Sequence, residues 1–187
     1  FNNTIDPFWE EQVSRGHFAG KGDVDVHYAW CIPDTPRSTI VISSGRIESY
    51  LKYKELVFDL YQNGFAVFIL DHRGQGLSVR MTHDPQHGYV PPFDDYVDDL
   101  VYFTQNIVVP KQQGRLQLLC HSMGGAIGAL TLLRLPTLFS KAVLASPMFG
   151  IKPALPSAPF ARIPGALVQA GQQIAAPKNV DLICLDG

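Results

Sequence analysis

Residues 118–125 read Leu-Leu-Cys-His-Ser-Met-Gly-Gly. An apolar run stops at one hydroxyl, and two glycines follow at once. The run fits a buried strand, and the apolar stretch 126–135 behind it fits a helix covered on all sides. Ser122 then sits at a strand–helix corner, where two readings compete. It is the N-cap of the helix, its side chain accepting a backbone N–H, or it is a nucleophile lifted into the crevice at the carboxyl end of a sheet. The second use needs small neighbours so that helix and strand can approach, usually as G-x-S-x-G. Here the string is Cys120-His121-Ser122-Met123-Gly124, with Cys in the place of the first Gly.

The rest of the chain supplies the setting. Residues 15–31 read as a hairpin turning at 20–23. Residues 39–43 (TIVIS), 65–70 (FAVFIL), 115–120 (RLQLLC), 141–146 (KAVLAS) and 180–186 (VDLICLD) read as strands. FAVFIL is apolar throughout, as in a strand covered on both faces. Helical stripes run over 50–62 and 93–107. This alternation predicts an α/β fold, a mostly parallel sheet with helices on both faces and an antiparallel hairpin at one edge. Prolines at 147, 153, 156, 159 and 164 change the texture. The expected division is a core over 1–147, the start of a cap or lid over 148–179, and a return to a core strand over 180–187.

Bulk properties narrow the class. With 46% apolar and 17% charged residues in a chain of 187, one globular domain with a real core is expected. A net charge of −2 with no basic run argues against a nucleic-acid partner. No apolar run reaches the roughly 18 residues of a membrane-spanning helix. The first residue is Phe1, so targeting cannot be read. Three cysteines without a CxxC spacing give no zinc signal. Cys31 and Cys184 are expected as buried free thiols, which points to a reducing, cytoplasmic setting. Asp94, Asp95, Asp98 and Asp99 complement a helix dipole and are expected on a solvated face, not around a metal.

A Ser nucleophile also needs oxyanion donors: the amide after it, here Met123, and one from the loop after an earlier strand. Ser44-Gly45-Arg46, directly after TIVIS, offers the second. At this point the chain resembles a known family. SSGRIESYLKY, FILDHRGQGLS, CHSMGG and DDYVDDL fall in order, as in the serine α/β-hydrolases of the monoacylglycerol lipase group. Within it the bacterial lysophospholipases are the nearest resemblance, through GRIESY, DHRGQG and SPMFG. The resemblance implies Ser122 as nucleophile, the backbone N–H groups of Met123 and Arg46 as oxyanion hole, and a lipid-binding cap after SPMFG. It implies a lipid ester substrate and no cofactor or metal. The family more often carries His-Gly where this chain has Ser44-Gly45. The loop 71–78 (DHRGQGLS) is expected to be structural, with Asp71 and Arg73 in local hydrogen bonds. His121 is expected packed and aimed away from the Ser122 hydroxyl, and His83 and His87 on the surface.

One absence stands out. In this fold the triad runs Ser, then Asp or Glu, then His. No His follows Ser122, and the only later acids are Asp181 and Asp186. The triad acid and His are therefore not identifiable in the chain, although Asp186 is a candidate acid. The chain reads as incomplete, and the expected function is hydrolysis of the ester of a lysophospholipid or monoacylglycerol. Another esterase, a thioesterase, an acyltransferase or a non-catalytic lipid-binding relative is the alternative. The apolar segment 151–168 suggests peripheral contact with the inner membrane; oligomeric state is not readable.

Overall fold

The computed structural model describes residues 3–82, 92–149 and 180–185. A short helix α1 (Ile5–Gln12) precedes strands β1 (Ser14–Gly20), β2 (Val24–Cys31) and β3 (Ser38–Ser43). A 3-10 turn over Tyr50–Tyr53 leads into α2 (Lys54–Gln62) and β4 (Phe65–Leu70). Then come α3 (Asp94–Phe103), β5 (Arg115–His121), α4 (Met123–Arg134), β6 (Lys141–Ala145) and β7 (Asp181–Leu185). The seven strands form one sheet in the order β1-β2-β4-β3-β5-β6-β7. The hairpin β1–β2 lies at one edge and meets β4 antiparallel, and the pairs from β4 to β7 are all parallel.

The period-2 alternation of strand side chains builds two apolar layers. Ile40, Ile42, Val67 and Ile69 point to one face, where Phe8 and Trp9 of α1 and Val57 of α2 cover them. Val41, Phe68, Leu70, Leu116, Leu118 and Cys120 point to the other, under Val97 and Leu100 of α3 and Ile127 of α4. Each fully buried Leu or Phe among them contributes roughly 1.5–3 kcal/mol. The two-sided cover is why FAVFIL tolerates no polar residue. Helix α1, for which the sequence reading had no expectation, docks through Phe8 against Phe58 and Tyr61 of α2, at centroid distances of 5.2 and 4.9 Å.

This topology also makes the crevice. From β3 the chain moves to β4 on one side; from β4 it crosses to β5 on the other. Right-handed crossovers in opposite directions send α2 and α3 to opposite faces. The loops after β3 and β5 therefore part at the carboxyl ends of two neighbouring strands, the usual place for a ligand. Ser43 pairs with Cys120, so the two loops start side by side.

Three expectations need correction. Asp95 and Asp99 are not on a solvated face but buried. Both pair with the buried Arg73, at 3.1 and 2.6 Å, because a guanidinium taken out of water must be matched by carboxylates. Asp94 and Asp98 do lie outward and pair with Arg134. Cys184 is exposed, since β7 is the edge strand, while Cys31 and Cys120 are buried. His121 is not packed: its side chain is 48% exposed and stands 3.5 Å from Glu48. His83, His87, Asp186, the apolar segment 151–168 and all of the expected cap except 148 and 149 fall outside the described residues.

Candidate functional site

Ser122 lies between β5 and α4 with φ 51° and ψ −117°. An N-cap residue sits in the extended region with its side chain bonded to the first turn. Ser122 does neither, as it makes no side-chain capping bond. Positive φ on a residue with a Cβ costs on the order of 1–3 kcal/mol and persists only where the surroundings impose it. Here they do. Ser122 N–H donates to Ala145 C=O at 3.0 Å, while its own C=O accepts from Gly125 and Met148, both at 2.9 Å. Its hydroxyl has no hydrogen-bond partner among the described residues, and the side chain is half-buried.

The close approach that the corner requires is visible at Gly124. A Cβ there would run into the carbonyl oxygens of Ser43 and Ser44, so only glycine lets α4 start against the end of β3. Ser43 Oγ ties the two together by donating to Gly124 C=O at 3.2 Å. Cys120, in the place of the usual Gly, is fully buried. Its Sγ fills the space that a side chain at position 128 would need, and position 128 is Gly. The departure from the motif is thus matched one helical turn further on.

The loop after β3 is held by side chains. Gly45 N–H donates to Glu48 Oε2 at 2.6 Å, which also accepts from Tyr53 OH at 2.6 Å. Burial works against the Glu48 charge, yet these two bonds, with His121 and Lys52 nearby, hold its carboxyl below the ordinary value. Ile47 N–H donates to Gln75 Oε1 at 2.9 Å. Arg46 N–H and Met123 N–H, the two expected donors, have no acceptor among the described residues. Ser44 is buried, and its hydroxyl has no partner among the described residues.

Two cavities flank this loop. One of about 510 Å³ is lined by Arg46, Ile47, Glu48, Ser49, Gln75 and Tyr96, among others. The second, about 380 Å³, is lined by apolar Ile42, Tyr53, Leu56, Leu119 and Ala145 beside His121. Ser122 is not among the residues lining either. No imidazole bonds to Ser122 Oγ among the described residues. His72, fully buried, is taken up by Ser43 Oγ at 3.0 Å, and burial pushes its imidazole down to about 4. No group of His, Cys, Asp and Glu that could hold a metal ion occurs among the described residues. The roles of Glu48 and Gln75 were not read from the sequence, although both lie in the quoted motifs: Gln75 reaches Gly45 across 30 positions, and Glu48, three positions from Gly45, carries no mark of the bond it makes.

Residues 34–184 match the family described as serine aminopeptidase, S33. The chain belongs to that family. The expected resemblance to the monoacylglycerol lipase group and to bacterial lysophospholipases is borne out by the relatives the chain matches. The chain is 45% identical over 150 residues to lysophospholipase L2 of Escherichia coli K12, a match covering 80% of this chain and 44% of that protein. It is 33% identical over 124 residues to the monoglyceride lipase of Rattus norvegicus, covering 66% of this chain and 39% of that one. The chain thus spans less than half the length of either of these two relatives. A thermostable carboxyl esterase from Bacillus coagulans, solved with glycerol, superposes with a TM-score of 0.64 at 17% identity, over 72% of this chain and 44% of the esterase. That likeness speaks for the fold, and the α/β-hydrolase architecture expected from the sequence stands.

Proposed function

We propose that the protein carrying this chain hydrolyses the carboxylic ester of a monoacyl lipid, a lysophospholipid or a monoacylglycerol, through an acyl-enzyme on Ser122. The observation that carries the reading is the strained backbone at Ser122, whose hydroxyl has no partner among the described residues, at the switch point of the sheet. Ser122 Oγ attacks the ester carbonyl carbon, and the carbonyl electron pair moves onto oxygen. The N–H groups of Met123 and Arg46 stabilise that oxyanion; losing one such donor costs roughly 2.7–4 kcal/mol of barrier. Collapse expels the glycerol or glycerophospho alkoxide, which takes the proton that left Ser122. Water then repeats the sequence on the acyl-enzyme.

A hydroxyl needs a base, and the base an orienting acid. No His follows Ser122 in the sequence. The lysophospholipase L2 match leaves more than half of that relative outside it. We place the imidazole and its acid in the corresponding further length of the protein that carries this chain. The choice of ester over peptide amide, despite the family's description, is supported by the names of the lysophospholipase and monoglyceride lipase relatives. Among the described residues no helix is long and apolar enough to cross a membrane. We infer a cytoplasmic location from the three free cysteines and, since lysolipids reside in bilayers, peripheral contact with the membrane, which cosedimentation with liposomes checks.

The decisive experiment uses the full polypeptide that carries this sequence. A fluorophosphonate probe is expected to label Ser122, mapped by mass spectrometry, and Ser122→Ala is expected to abolish labelling and turnover. Lysophospholipids, monoacylglycerols, short nitrophenyl esters and aminopeptidase substrates are then compared. Labelling elsewhere, or none, removes the hydrolase reading; cleavage of peptides alone removes the lipid one.

A further inference from the structure

We propose that Gln75 is the positioning residue of the oxyanion hole, aiming the Arg46 amide from behind; this rests on the roles given above to Ser122 and Arg46. The loop after β3 presents the consecutive amides of Gly45, Arg46 and Ile47. Gly45 N–H is spent on Glu48 and Ile47 N–H on Gln75 Oε1. Arg46 N–H, between them, is the one left without an acceptor among the described residues. Gln75 also donates, from Nε2 to Gly45 C=O at 2.8 Å. That carbonyl belongs to the same planar trans peptide as Arg46 N–H, so the two groups point in opposite directions. Fixing the oxygen therefore fixes the direction of the hydrogen. Drawing charge from the carbonyl also strengthens the N–H as a donor.

The assignment of the Gln75 amide is not interchangeable. Its oxygen faces an N–H and its nitrogen faces a C=O, so a flipped amide would satisfy neither. The residue is only 7% exposed. Its own backbone is locked by Gln75 N–H to His72 C=O and Ser78 N–H to Gln75 C=O, both at 3.1 Å. The loop it grips is strained. Ile47 has φ 59°, a left-handed conformation that a β-branched residue avoids. Without Gln75 the 45–46 peptide is free to turn over. A carbonyl oxygen would then stand where the oxyanion needs a donor.

The test compares Gln75→Met and Gln75→Glu with wild type, Ser122→Ala and Ser78→Ala in the full polypeptide, on a short nitrophenyl ester. Ser78 lies in the same loop, and its hydroxyl, the group that Ala removes, is bonded to Asp71 C=O and His27 N–H and not to the loop after β3; its N–H bond to Gln75 is kept in Ser78→Ala. Deleting a whole donor costs about 10²–10³ in kcat, so Gln75→Met, which only frees it, is expected to lower kcat about 10–100-fold with KM nearly unchanged. In Gln75→Glu the carboxylate repels Gly45 C=O, whereas the protonated acid donates to it. Its kcat relative to wild type is therefore expected to recover as pH falls from about 8 to about 5. Ser78→Ala is expected to lower Tm with kcat retained. Wild-type kcat in both Gln75 variants, or losses no larger than in Ser78→Ala with a pH-independent ratio, overturns the proposal. Retained turnover in Ser122→Ala overturns instead the nucleophile reading on which it stands.

Discussion

Two loops at the carboxyl ends of parallel strands invite the same reading and turn out opposite. The loop after β4, Asp71 to Ser78, carries an acid, an imidazole, a guanidinium and a hydroxyl. The corner after β5 carries one hydroxyl. In the first, side chain after side chain is spent on the protein. Asp71 accepts from Tyr50 N–H, Leu77 N–H and Ser49 Oγ at 2.5, 2.7 and 3.1 Å. Arg73 forms two bonds with Asp99, at 2.6 and 2.7 Å. Ser78 Oγ donates to Asp71 C=O at 2.6 Å. In the second, Ser122 Oγ is bonded to nothing described. Reactivity lies in what the fold leaves unsatisfied, while residue types that look catalytic can be the fold's own fastenings.

The strongest way to break this contrast is to unfasten the first loop. Arg73→Met removes the cation and leaves Asp99, fully enclosed, as an uncompensated carboxylate. Removing one partner of a buried pair typically costs about 3–5 kcal/mol. Urea unfolding is expected to show a loss of that size, and Arg73→Met/Asp99→Leu is expected to recover much of it. A loss under about 1 kcal/mol in the single variant would mean the loop is not held by this pair.

A smaller effect comes from His72. Burial lowers its imidazole to about 4, against an ordinary value of 6.5. Between those values the unfolded chain binds a proton that the folded one refuses, so stability rises with pH across that window and is lost as pH falls. The full difference of about 2.5 in pKa corresponds to roughly 3 kcal/mol, complete below about pH 4. Unfolding free energies from about pH 7 to about pH 4 are expected to fall accordingly, with a shallower slope in His72→Asn. An unchanged slope would show that His72 is accessible to protons in the native state.

What was legible in the sequence follows the same division. Strands such as 65–70 announced themselves because a two-sided cover leaves a continuous apolar run. The corner at 118–125 was legible because one backbone geometry demands small residues locally. Asp95, Asp99 and Gln75 were not, since their roles depend on partners brought in from 22 to 30 positions away. Four aspartates on one helix look like a solvated face until Arg73, more than 20 positions upstream, is brought beneath two of them. His121 was misjudged for a related reason: a residue at the last position of a strand escapes the cover that its neighbours receive. Cys120 for Gly was tolerable only because Gly128 stands opposite, a pairing that a motif string does not encode.

The smallest effect sharpens the contrast most. Ser122→Gly removes the Cβ that makes φ 51° costly, and no described side-chain hydrogen bond is lost with it. Relief of roughly 1–3 kcal/mol is offset by glycine's extra freedom in the unfolded chain, about 0.5–1 kcal/mol. A net gain near 1 kcal/mol is expected, with all turnover lost. Ser122→Ala keeps the Cβ, so it is expected to lose turnover without that gain. The difference between the two variants isolates the backbone strain from the hydroxyl. At Ser78 the same logic runs backwards: Ala there forfeits bonds to Asp71 and His27 and is expected to destabilise. If Gly and Ala at 122 proved equally stable, the corner would hold its conformation without strain, and the site would no longer be one that the fold bends at its own expense.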